Sequence, residues 1–183
     1  GHEHIKACTG ELSMARPRVW GWDLAQHQDW TVGIALDESW KVCRFQRWQK
    51  VPWPDTQERI LQETALTPAL MDQHGVGDPV VQMLQRDGRG RYEGFKFSTE
   101  HKQELMQHLA LVIQGHRVTF PPGPIVAELE AFEYTITREH VLYSAPQGMH
   151  DDCVMALALA CWHAKEKRVR VGTRKAVKAP RSW

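Results

Sequence analysis

Gly148-Met149-His150-Asp151-Asp152-Cys153-Val154-Met155-Ala156-Leu157-Ala158-Leu159-Ala160 is the stretch around which this chain is organised. Two adjacent acids open a run that is otherwise small and apolar. Alternating alanine and leucine are good helix formers, and Val154, Leu157 and Cys161 recur at a helical period. Asp151 or Asp152 is a natural N-cap, and an acid there suits the positive end of the helix dipole. Capping explains one aspartate. Two of them, preceded by a glycine and a histidine, carry more negative charge than a cap needs, and the excess asks for a cation.

Outward from that helix, the first strong segment is Arg18-Val19-Trp20-Gly21-Trp22-Asp23-Leu24-Ala25, β-prone and apolar with one acid near its centre. Burying that acid is costly unless it is paired or metal-bound. Residues 30–36 and 41–48 read as two further strands, and the short connections predict an antiparallel meander. After Pro52 and Pro54, Asp55-Thr56-Gln57-Glu58 resembles a capping box and opens a helix of about three turns. Pro68-Ala69-Leu70-Met71-Asp72 reads as a short buried strand that ends on an acid. A helix with Val80, Val81 and Leu84 facing inward follows, then a strand over 92–97. Ser98-Thr99 caps a longer helix to about Gln114, with Leu105, Leu109, Val112 and Ile113 as its apolar stripe. His101 and His108 share a face of it and read as surface histidines. A short helix over 125–132 and a hairpin of 134–137 with 140–144 lead back to Gly148. This order predicts an α/β fold: a mixed sheet, part antiparallel meander and part parallel, with helices on both faces.

The chain's 183 residues suffice for one core, and no apolar run reaches the roughly 20 residues of a membrane helix. Residues 1–17 read as a linker or cloning remnant, 18–166 as the folded domain and 167–183 as a basic tail. Cys8, Cys43, Cys153 and Cys161 form no Cys-x-x-Cys pair and read as small core residues in a reducing compartment. The net charge of +1 hides an asymmetry: from Lys165 onward there are eight basic residues and one acid. Such a tail is either solvated or touches phosphate.

Asp23 in a strand, Asp72 at a strand end and Asp151-Asp152 at a helix start are positions that can converge at one point of a sheet. Oxygen-only ligation selects hard cations, Mg²⁺ or Mn²⁺, over zinc. Two such ions about 3.5–4 Å apart activate a water and stabilise the leaving oxygen of a phosphodiester. That is the physical case for a nuclease.

The chain also resembles a known family, the nuclease domain of the large terminase subunit of tailed bacteriophages, within the RNase H-like (retroviral integrase) superfamily. The matching stretches are Gly21-Trp22-Asp23-Leu24-Ala25 with Asp29-Trp30-Thr31-Val32, Met71-Asp72-Gln73-His74-Gly75-Val76-Gly77-Asp78-Pro79-Val80-Val81, Phe97-Ser98-Thr99 with Lys102, Glu128-Leu129-Glu130-Ala131-Phe132, and Gly148-Met149-His150-Asp151-Asp152. They span about residues 18–164 in the family's order.

The resemblance implies an endonuclease that cuts concatemeric double-stranded viral DNA, with little sequence preference, at the start and end of packaging. It implies Mg²⁺ or Mn²⁺ as cofactor, two ions, with Asp23, Asp72 and one or both of Asp151 and Asp152 as ligands; Asp152 is favoured and the pattern leaves the choice open. His150 stands at the pre-aspartate position, as an outer-shell group or a helix-start residue. Asp29 and Asp78 match acids near the site, and Lys102 is either a phosphate contact or a solvated helix lysine. The implied partners are DNA, an ATPase motor, the portal and the small terminase subunit, in the cytoplasm of an infected bacterium. The isolated domain is expected to be a monomer. No Gly-x-x-x-x-Gly-Lys-Ser/Thr loop occurs, so ATP-driven translocation is not expected of this chain. Rival readings are a Holliday-junction resolvase, a transposase catalytic domain, or a non-catalytic DNA- or portal-docking module.

Overall fold

Side chains along Val19–Asp23 (β1) alternate between two cores. Val19 packs in one, whereas Trp20 and Trp22 pack in the other. The two indoles stack at 4.9 Å and 11°, and Trp22 donates its Nε1–H to the buried Thr64 hydroxyl at 3.0 Å. A strand shared by two cores must lie inside a sheet covered on both faces, and β1 does. In this computed structural model β1 is the central strand of five, flanked on one side by Thr31–Leu36 (β2) and then Val42–Trp48 (β3), and on the other by Ala69–Asp72 (β4) and then Tyr92–Phe95 (β5). The described residues are 1–25, 30–73, 77–88, 91–136, 141–144 and 150–172.

The expected meander is present. Thr31–Leu36 (β2) pairs antiparallel with β1 and with Val42–Trp48 (β3). On the other side, Ala69–Asp72 (β4) runs parallel to β1, and Tyr92–Phe95 (β5) runs parallel to β4. Trp53–Thr64 (α2) and Gly77–Asp87 (α3) cover the tryptophan face with Ile60, Val80, Val81 and Leu84. Thr99–Gln114 (α4), Pro124–Ala131 (α5) and Asp152–Gly172 (α6) supply the other core. Glu133–Ile136 (β6) and Val141–Ser144 (β7) form a separate antiparallel pair. All four cysteines are free and buried. Among the described residues no helix is long and apolar enough to cross a membrane.

Four local readings differ from the structure. Residues His2–Cys8, read as linker, form a helix (α1), because Cys8 is buried and Ile5 packs against the core. α2 begins at Trp53, so Asp55 lies inside its first turn and makes no capping box; Pro54 occupies a position where no amide donor is needed. α6 continues to Gly172, past the boundary drawn at 166, and only 173–183 of the tail lies outside the described residues. His108 is half-buried, edge-on to Trp162 at 5.5 Å.

Candidate metal centre

Strand alternation that sends Trp20 and Trp22 to one face sends Val19, Gly21 and Asp23 to the other, the face covered by α6. The same alternation in β4 puts Ala69 and Met71 with the tryptophans and Leu70 and Asp72 on the α6 face. Parallel pairing matches Trp22 with Met71, so the next register position brings Asp23 beside Asp72. Both strands end there. Two acids thus sit at the carboxyl ends of adjacent parallel strands, where α/β sheets place ligands.

The third wall is the start of α6. The Asp151 carbonyl accepts the Met155 amide at 2.9 Å, which makes Asp151 the N-cap and Asp152 the first helical residue. Small residues allow a close approach: a Cβ on Gly21 would stand 2.2 Å from the Ala156 carbonyl oxygen and 2.4 Å from the Ala160 nitrogen. The Asp152 side chain is only 10% exposed. Its Oδ2 accepts the Trp30 amide at 3.2 Å and lies 3.6 Å from His150 Nδ1. His150 itself is exposed.

Electrostatics tie the four aspartates together. Burial pushes the Asp23 carboxyl well above its ordinary range, and Asp72, Asp152 and Asp151 push it further in that order. Lys102, in the first turns of α4, acts in the opposite direction. Lys102 is therefore close enough to feel the site. Among the described residues the three that gather ligand atoms within 4.8 Å are Glu93, His163 and Glu166. The all-oxygen donors of the aspartates fit Mg²⁺ or Mn²⁺. The Glu93 group lies elsewhere, between β5 and the later turns of α6, with Lys167 Nζ 3.4 Å from Glu93. It is a charged clasp that Lys167 joins.

Of the other expected residues, Asp29 lies outside the described residues. Asp78 falls in the first turn of α3, its side chain outside them too. Sequence reasoning assigned no role to Glu128, Arg47 or Trp30, and the structure joins all three to the start of α6. Glu128 Oε2 accepts the Cys153 amide at 2.7 Å. Its Oε1 lies 3.4 Å from Arg47 Nη2, and the Arg47 guanidinium stacks 4.0 Å over the Trp30 ring. Glu128 stood in one of the quoted segments, but nothing in a linear pattern pairs it with residue 153.

Comparison with known proteins agrees with this architecture. A family model described as the terminase RNase H-like domain matches residues 20–164. The terminase large subunit of Thermus phage G20c is 29% identical over 147 residues, covering 76% of this chain and 30% of that protein. The chain thus spans about a third of that relative's length. The magnesium-bound large terminase nuclease of phage G20c superposes with a TM-score of 0.77 at 24% identity, over 88% of this chain and 95% of that one. The nuclease domain from Thermus phage P74-26 gives 0.72 at 22%, over 87% and 92%. Further structures of the G20c nuclease hold cobalt or zinc, and one of the Sf6 large-terminase nuclease domain was determined with manganese. Matched over most of its length, with the mixed sheet and helix order on the page, the chain belongs to the terminase RNase H-like domain family.

Proposed function

We propose that this domain is a metal-dependent endodeoxyribonuclease, the DNA-cutting part of a phage large terminase. The observation that carries the reading is the crowding of Asp72, Asp151 and Asp152 around the desolvated Asp23. Three further carboxylates acting on a desolvated Asp23 are a poor structural motif and a good cation site. Asp23, Asp72 and Asp152 would hold Mg²⁺ or Mn²⁺, two ions in all, with Asp151 beside them. When bound, such ions supply an activated water and neutralise charge on a leaving phosphate oxygen.

The chain's own residues have separable tasks in this reading. Asp23 and Asp72, on strand ends of a rigid sheet, fix the floor. Asp152 closes the third side and is steadied by the Trp30 amide. Lys102 offers a cation to a phosphate, a contact that positions DNA without reading its sequence. In a complete packaging machine, inside the infected bacterium, the domain would cut concatemeric DNA alongside an ATPase motor, the portal and the small subunit.

The test is incubation with supercoiled plasmid and Mn²⁺ or Mg²⁺, without ATP. Nicked and linear products are expected, abolished by EDTA and reduced at least about 100-fold by Asp23→Asn and Asp72→Asn. Equal cleavage by those variants, or indifference to EDTA, sinks the proposal. Strong preference for a four-way junction over plain duplex would move the reading to a resolvase.

A further inference from the structure

Four side chains close a ring behind the carboxylate cluster. Glu128 on α5 binds the Cys153 amide at 2.7 Å through one oxygen and approaches Arg47 on β3 at 3.4 Å through the other. Arg47 lies 4.0 Å over the Trp30 ring. The Trp30 amide returns to Asp152 Oδ2 at 3.2 Å. The Cys153 amide belongs to the peptide that follows Asp152. Glu128 therefore grips that peptide from behind while Trp30 holds the carboxylate from the side.

Helix starts leave amide donors without intrahelical partners, and a residue of the same turn normally meets them. Here the cap comes from another helix, 25 positions earlier in the chain. Its carboxylate is about nine-tenths buried. A buried carboxylate is costly unless charge and hydrogen bonds both answer it, and Arg47 with the Cys153 amide provide them. The bond satisfies a first-turn donor and, because it comes from another element, also ties the peptide that follows Asp152 to α5.

We propose that Glu128 is a positioning residue: it clamps the Asp152–Cys153 peptide and so aims the Asp152 carboxylate at the cation. The proposal rests on the nuclease reading above. Groups behind metal ligands that hold them in place change metal affinity or activity about 10–100-fold when removed. Arg47 and Trp30 share the task, since they connect the clamp to the amide on Asp152.

The test separates reach from charge. Glu128→Gln keeps the length of the arm and an acceptor oxygen but loses the charge. Glu128→Asp keeps the charge but is one methylene short of the Cys153 amide. Mn²⁺ binding is read by the electron paramagnetic resonance signal of the free ion, without DNA, beside thermal melts and the amide chemical shift of Cys153. Glu128→Gln is expected to bind Mn²⁺ within about threefold of the parent. Glu128→Asp is expected to bind about tenfold more weakly at temperatures where the melts show it fully folded, with the Cys153 amide moved upfield. The reverse order, or equal binding by both at parental strength, overturns the positioning role and leaves the nuclease reading intact. Binding by the parent that Asp23→Asn does not weaken, or no binding at all, overturns both.

Discussion

Gly21 and Ala156 meet backbone to backbone: a Cβ on the glycine would sit 2.2 Å from the alanine's carbonyl oxygen. α6 lies directly on β1, and that contact sets how far Asp152 stands from Asp23. Gly21→Ala must push the helix outward, because backbone cannot yield as a side-chain tip can. Overpacking of this kind costs about 1–3 kcal/mol, or more. Chemical denaturation should show that loss, with cleavage falling further than the folded fraction does, since the displaced helix carries Asp152 with it.

Asp23→Asn should behave in the opposite sense without divalent ions. The folded state holds the Asp23 proton more tightly than the unfolded chain does, since its pKa is raised. Stability of the ion-free protein therefore falls as pH rises above the ordinary carboxylate range, and asparagine removes that slope. At pH 7.5 the variant should melt at a higher temperature than the parent. Added Mn²⁺ should raise the melting temperature of the parent and leave the variant nearly unmoved. A parent that is indifferent to Mn²⁺ would contradict this.

His108 provides a pH signature away from the carboxylates. Burial pushes it down to about 4, helped by Lys165 and Arg117. The unfolded chain, with an ordinary histidine near 6.5, then binds more protons than the fold between those values. The contribution to stability is complete above about 6.5 and is lost as pH falls toward 4. Replacing His108 with glutamine should flatten the melting curve against pH in that interval, and the ring proton resonance of His108 should titrate near 4.

Thr64→Val tests the tryptophan core. The change is nearly isosteric but leaves the buried Trp22 Nε1–H without its 3.0 Å acceptor. An orphaned buried donor costs about 1–3 kcal/mol. Stability should drop by that amount while cleavage per folded molecule stays unchanged, since Thr64 lies on the far face of the sheet from α6.

Much of this was legible from period and punctuation. Ala69 to Asp72 reads as a strand ending on an acid and is one, whereas Asp23, read near the centre of its strand, stands at the end of β1. Once the two strands are parallel neighbours, Asp23 and Asp72 must share an end and a face. The α6 stripe announced itself through alanine and leucine. What escaped was interaction between elements far apart in sequence. Glu128 to Cys153 and Arg47 to Trp30 follow no periodicity, since a side chain crossing from one element to another leaves no mark on the pattern of its own. α1 escaped because seven residues without a side-chain cap carry almost no helical signal; Ile5 and Cys8 order it by packing. The false capping box at Asp55 arose because Pro54 can open a helix as well as an acid can.

The acids stand at positions 23, 72 and 151–152, on three elements that meet only when α6 docks. The cluster is therefore made by tertiary docking and by no local stretch of chain, so whatever shifts the seat of α6 on β1 shifts one wall against the floor.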